Sequence, residues 1–177
     1  MGPCGPGVHD HVYLIPLARS GSRSIAEGFL FELLEMMAVD LQVALEFARS
    51  HRNAILTTLR ADGRPQQSMI FYVIRDDQFV LSITDSRAKT KNLRRDPRAS
   101  LFVPTEDAFR WAAFDGQVEL SAVAAAPDDE VVDLLVDYYR NGNGEHPDWA
   151  DYRRAMVAEG RLVATFRATS ATGILPD

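Results

Sequence analysis

The sequence predicts a mainly β domain with some α-helix, an α+β fold in which six antiparallel strands close into a small barrel with short peripheral helices. Three observations predict it. Short β-branched and apolar runs recur along the chain, two turn signals join the first three of them, and the helical patterns are few and brief. Closure is preferred to an open sheet because it removes exposed strand edges.

Asp40 is placed as a helix N-cap, and Leu41, Ala44, Leu45 and Ala48 follow at helical spacing as far as Ser50-His51-Arg52. Residues 53–60, NAILTTLR, read as the first strand. Asp62-Gly63 is a strong hairpin signal, and residues 65–75 return as the second strand through Met69, Phe71 and Val73. Asp76-Asp77 turns the chain into a third strand over residues 79–84. A short basic helix, capped by Ser86 and stopped by Pro97, interrupts the meander. Residues 99–103 and 109–120 are the fourth and fifth strands, with Gly116 a bulge or bend.

Pro127 at a first helical position, followed by Asp128, Asp129 and Glu130, opens a further helix. Its apolar stripe is Val131, Leu134, Leu135, Tyr138 and Tyr139, a spacing that assigns both tyrosines to the core. Residues 141–144, NGNG, read as a loop, residues 149–158 as a last helix and residues 161–168 as the sixth strand. The 177 residues suffice for one domain and are too few for two ordinary ones.

That patterned domain occupies residues 39–177. Residues 1–38 stand apart: Gly2, Pro3, Gly5, Pro6 and Gly7 form no regular element, and Gly28 weakens a short helix over residues 25–37. Met36 and Met37 lie just before the first well-patterned element, so this extension is expected to be either an N-terminal arm or the product of an upstream start assignment. Cys4, His9 and His11 lack a fourth ligand and give no metal site.

Cys4 is the only cysteine, which removes any disulfide framework. No run approaches transmembrane length and the start lacks a signal-peptide pattern, so the expected location is the cytoplasm. A net charge of −6 argues against nucleic acid or an anionic membrane as partner.

Against that background one segment is different. Arg87, Lys89, Lys91, Arg94, Arg95 and Arg98 face the single acid Asp96, so six bases and one acid leave a local charge of +5. Lys89 and Lys91 are also the only lysines in the chain. A charge run is ordinarily a solvated helix face. Here Arg87, Lys89 and Thr90 fall in the first turn of a helix that follows a strand, the arrangement that binds a phosphate. Arg94, Arg95 and Arg98 lie further along, as solvated surface or a rim for a longer anionic tail. Neither a second basic face nor aromatic-basic interleaving supports nucleic acid. No Ser-His-Asp, Cys-His or paired-carboxylate pattern is visible, and His51 and His146 are isolated.

The run SRAKTKNLRRDPRASL (86–101), after the hairpin Asp62-Gly63-Arg64-Pro65-Gln66, resembles the pyridoxamine-phosphate-oxidase-like superfamily of FMN-binding split β-barrels. With the later AAAPDD and GEHPDWADYRRAM it is closer to the actinobacterial branch that uses the deazaflavin coenzyme F420. The likeness runs from Asp40 to the C-terminus. It implies a homodimer with cofactor at the subunit interface and hydride exchange between F420 and a conjugated organic substrate. Two alternatives stand beside it, a flavin mononucleotide enzyme of the same fold and a non-catalytic F420 carrier.

By the same resemblance Arg87, Lys89 and either Lys91 or Asn92 take the phosphate, and Ala88 and Thr90 belong to the same cofactor-binding segment. Pro65, Gln66, Ser68, Met69 and Ser82 line the ring and its side chain. Phe109 and Trp111 join them from the fifth strand. On residue spacing alone, Gln66 and Ser68 share one strand face, which is either the pocket face or solvent. True pyridoxamine-phosphate oxidases end in an arginine- and tryptophan-rich segment, whereas this chain ends ATSATGILPD.

Overall fold

The computed structural model describes residues 38–176; the expectations for residues 1–37 lie outside them. Helix α1 (Leu41–Arg49) is capped by Asp40, whose carboxylate accepts from the N–H groups of Gln42 at 2.8 Å and Val43 at 3.1 Å. Strands β1 (Asn53–Leu59), β2 (Pro65–Phe71), β3 (Val73–Arg75) and β4 (Gln78–Thr84) come next. Helix α2 (Ala88–Arg95) leads to β5 (Arg98–Pro104) and β6 (Trp111–Leu120). Helices α3 (Glu130–Asn143) and α4 (Trp149–Ala158) precede β7 (Arg161–Ile174).

All pairings are antiparallel, in the order β2-β1-β5-β6-β7-β4-β3. The expected barrel is present, with seven strands in place of six. The second strand expected over residues 65–75 is broken at Tyr72, whose N–H donates to the Arg52 carbonyl at 3.0 Å and whose buried hydroxyl donates to the Ala48 carbonyl at 2.8 Å. That break has a topological result: β2 pairs with β1 and β3 with β4, so the two edges of the sheet are consecutive in the chain. Covalent continuity across Tyr72 curls the sheet into a split barrel. Inside it Phe79 packs edge-on against Tyr72, Phe114 and Phe166, with ring centroids 5.0, 4.9 and 5.7 Å away.

A second apolar cluster lies outside the barrel. Val132, Leu135 and Val136 of α3 and Tyr152 and Met156 of α4 pack on Val163, with Val80 at its margin. The expected stripe on α3 is thus turned by one residue, burying Val132 and Val136 and leaving Leu134 exposed. Both stripes satisfy helical spacing through Leu135; packing on β7 selects between them. Asp129, not the residue before Pro127, caps α3, its carboxylate accepting from Val132 N–H at 2.7 Å. The helix also runs through the expected loop as far as Asn143 and ends at Gly144, where φ is +83°.

The bulge expected at Gly116 is present, opposite an extra residue on β7: Asp115 pairs with Ser170 but Gly116 with Ala168, leaving Thr169 unpaired. β7 then continues six residues beyond its expected end, whereas β6 starts at Trp111, after a turn in which Ala108 takes φ +60°. Among the described residues no helix is long and apolar enough to cross a membrane.

Candidate functional site

The site is built on the outer end of β4. Phe79, Leu81 and Ile83 enter the barrel, so Val80, Ser82 and Thr84 take the other face by strand alternation. The Thr84 carbonyl accepts from Arg87 N–H at 3.2 Å and from the Thr90 hydroxyl at 2.7 Å, which ties α2 to the end of the strand. Ser86 is not the cap. Arg87 occupies that position with extended backbone and no capping side chain. The N–H groups of Ala88 and Lys89 therefore open α2 without intrahelical acceptors, at the positive end of its dipole.

Gln66 and Ser68 of β2, Ser82 and Thr84 of β4, Arg87, Ala88 and Lys89 of α2 and Arg161 of β7 enclose a cleft of about 480 Å³. An adjoining hollow of about 400 Å³ shares Ser82, Lys89 and Arg161, and adds Met69, Phe71, Tyr138, Tyr139, Tyr152 and Met156. Among the described residues no carboxylate lines either space, against three cations. Arg161 is partly neutralised by Glu159 at 2.7 Å, whereas among the described residues Arg87 and Lys89 form no ion pair. Burial first, then the charges of Arg87 and Arg161, hold Lys89 below the ordinary lysine value. A group so placed gains from an anion, and the cleft's cations and helix N–H groups fit a phosphate.

Two of the phenols of the adjoining hollow are engaged. Tyr138 donates to the Phe71 carbonyl at 3.1 Å, and Tyr152 to the Leu135 carbonyl at 3.0 Å. Burial raises both above the usual phenol value, Tyr152 to about 12.

Seven of the expected residues meet here: Gln66, Ser68, Met69, Ser82, Arg87, Ala88 and Lys89. Six do not line the cleft within one chain. The Thr90 hydroxyl is engaged with Thr84, and the buried Asn92 amide donates to Thr58 at 3.0 Å, so both hold α2 in place. Lys91 is exposed, about 200° around the helix from Lys89. Pro65 is exposed at the start of β2, opposite Leu59. Phe109 is 77% exposed in the turn before β6, and the Trp111 ring lies 5.5 Å from Phe102 on the outer face of the sheet.

Arg161, Tyr138 and Tyr152 were not expected at the site. The pairing of Thr84 with Arg161 brings the arginine there, and the packing of α3 and α4 brings the tyrosines. The three later arginines of the basic run have other partners: Arg94 pairs with Asp85, Arg98 with Asp96 at 2.7 Å, and Arg95 donates to the Leu59 carbonyl.

The fold is shared with solved structures. The protein Rv2991 from Mycobacterium tuberculosis is 21% identical, with 80% of this chain and 91% of that one covered and a TM-score of 0.61. A protein described as an F420 reductase is 19% identical over 68% of this chain and 89% of its own, with a TM-score of 0.52. A heme binding protein from Mycobacterium smegmatis is 20% identical over 76% of this chain and 53% of its own, at 0.57. The model of the pyridoxamine 5'-phosphate oxidase family matches residues 42–166, which takes in β1, β2, the basic helix and the first part of β7. By that match over most of its length, the chain belongs to the pyridoxamine 5'-phosphate oxidase family.

Proposed function

We propose that this protein is an F420-dependent oxidoreductase acting on a conjugated, electron-poor organic substrate. The observation that carries the proposal is the cleft, without a carboxylate among the described residues, in which Arg87, Lys89 and Arg161 converge on the N-terminus of α2. When bound, the deazaflavin ring supplies the hydride chemistry. The chain's own part is to bind and orient. Arg87, Lys89 and the N–H groups of Ala88 and Lys89 would hold the cofactor phosphate, with Arg161 adding a third charge. Ser68 and Ser82 lie further along the same cleft, on the way to the adjoining hollow walled by Tyr138, Tyr152 and Met156, which would receive the ring. Three cations suit a phosphodiester with an anionic tail better than the lone phosphate of flavin mononucleotide.

The homodimer belongs to the same proposal. Met69, Ile55, Phe102 and Ala113 are successive cross-strand neighbours along one row of the sheet. Trp111 lies beside Phe102, and Met69 is 68% exposed. A contiguous apolar row of this kind marks an interaction face. In a two-fold pairing across it, Phe109 and Trp111 would approach the partner's cleft. Phe102→Lys is expected to convert a dimer to a monomer in sedimentation velocity, and an unchanged sedimentation coefficient would place the interface elsewhere.

Fluorescence titration with F420 and separately with flavin mononucleotide tests the cofactor. Micromolar or tighter binding of F420 alone supports the proposal. Preference for flavin mononucleotide moves the protein to the flavin branch, and binding of neither refutes both. Single-turnover oxidation of bound, reduced F420 by a panel of electron-poor acceptors then separates an enzyme from a carrier, which would bind and not react.

A further inference from the structure

Beside the cleft runs a buried polar chain whose direction is fixed at both ends. The Asn92 side-chain oxygen accepts from the Arg95 guanidinium at 3.3 Å, and a guanidinium has donors only. Asn92 must therefore turn its NH2 toward Thr58, where it donates to the hydroxyl oxygen at 3.0 Å. Thr58 is wholly buried and Asn92 is 7% exposed. Having accepted from Asn92, the Thr58 hydroxyl directs its own proton at Gln66, whose Oε1 is 3.3 Å and whose carbonyl oxygen is 3.5 Å away.

The Gln66 amide, held at its oxygen by Thr58, is held in the same sense at its nitrogen. Its nitrogen donates to the Gln67 carbonyl at 2.8 Å, a group that only accepts, and to Ser68 Oγ at 2.7 Å. Both of its protons are thereby used. Ser68 Oγ accepts one of them, and among the described residues the Ser68 hydroxyl donates to no protein acceptor. Its proton is left for whatever occupies the cleft that Gln66 and Ser68 both line.

We infer that the one-way chain Arg95–Asn92–Thr58–Gln66 makes Ser68 a hydrogen-bond donor to the bound ligand, with Thr58 and Asn92 as positioning residues. The ligand atom that takes the Ser68 proton is then an acceptor, a carbonyl oxygen or an unprotonated ring nitrogen. This gives Asn92 a role other than phosphate contact. It also gives a reason for threonine at position 58, where valine has nearly the same shape and would match the apolar neighbours Ala54 and Leu56 on that face of β1.

The test has two arms. The first, which rests on the cofactor reading above, titrates wild type, Thr58→Val, Thr58→Ser, Ser68→Ala and the Thr58→Val/Ser68→Ala double variant with F420. Thr58→Val is expected to weaken binding about five- to tenfold, the size of one neutral hydrogen bond. Thr58→Ser should bind as wild type, and the double variant should bind no worse than Ser68→Ala alone. Full affinity in Thr58→Val, or additive losses in the double variant, would overturn the inference.

The second arm needs no ligand. In 1H–15N spectra the Gln66 side-chain NH2 pair should shift in Thr58→Val and return in Thr58→Ser. A pair that stays in place in Thr58→Val overturns the relay. Should wild type bind neither F420 nor flavin mononucleotide, the cofactor reading fails and the amide spectra alone decide the inference.

Discussion

Lys89→Ala is expected to weaken F420 binding by about 10- to 100-fold, or roughly 1.5–3 kcal/mol, the range for a hydrogen bond to a charged group. The same residue should act oppositely on stability. The fold holds Lys89 below its ordinary protonation range, chiefly by burial and then by repulsion from Arg87 and Arg161. A lysine depressed in this way binds its proton less well folded than unfolded. The ligand-free protein therefore gains stability as pH rises through the folded Lys89 pKa toward the unfolded lysine value.

Lys89→Met should abolish that gain and raise Tm at neutral pH, by no more than about 3 °C because solvent screens a half-exposed charge. Melting curves of wild type and Lys89→Met between pH 7 and about pH 11, without ligand, check the sign. A variant less stable than wild type at neutral pH would mean that Lys89 serves the fold rather than a ligand.

The other large effect is structural. Gly116→Ala is expected to cost about 3 kcal/mol or more, lowering Tm by roughly 6–12 °C. An added Cβ would overlap the Arg167 carbonyl oxygen and lie 2.9 Å from both the Arg167 carbonyl carbon and the Phe166 ring. The first obstacle is backbone inside a paired strand, so no rotamer change relieves it. Chemical denaturation measures the loss; a cost below about 1 kcal/mol would show that the bulge on β7 gives way.

That bulge also explains what the sequence does and does not disclose. Alternation over β1 and β4, the helix capped by Asp40 and the glycine at the bulge are all readable locally. The end of β7 is not. The extra residue Thr169 reverses the pleat, so Phe166 points inward before it and Ala171 after it, and a period-two pattern stops at Ala168. Tyr72 gives no local sign of breaking a strand, because its partners, Arg52 and Ala48, lie on a different segment.

The candidate site divides in the same way. The Arg87–Lys89 cluster is contiguous and legible. Arg161 reaches it only through the register of β4 against β7, and Tyr138 and Tyr152 only through packing outside the barrel. Asn92 carries a motif position three residues after Lys89, but its amide goes to Thr58, thirty-four residues earlier, a contact that no spacing rule reaches.

Among the described residues, the break at Tyr72 leaves β2 with a strand partner on one side only. Along its other side the peptide groups of residues 65–71 have no ladder to join, and there the cleft opens. One of them, the Gln67 carbonyl, is already occupied by the Gln66 amide. A ligand in the cleft thus meets main chain as well as side chain, and substitution cannot delete main chain. Alanine scanning of β2 will accordingly understate what the strand contributes to recognition; amide-to-ester replacement at individual backbone positions would register the remainder.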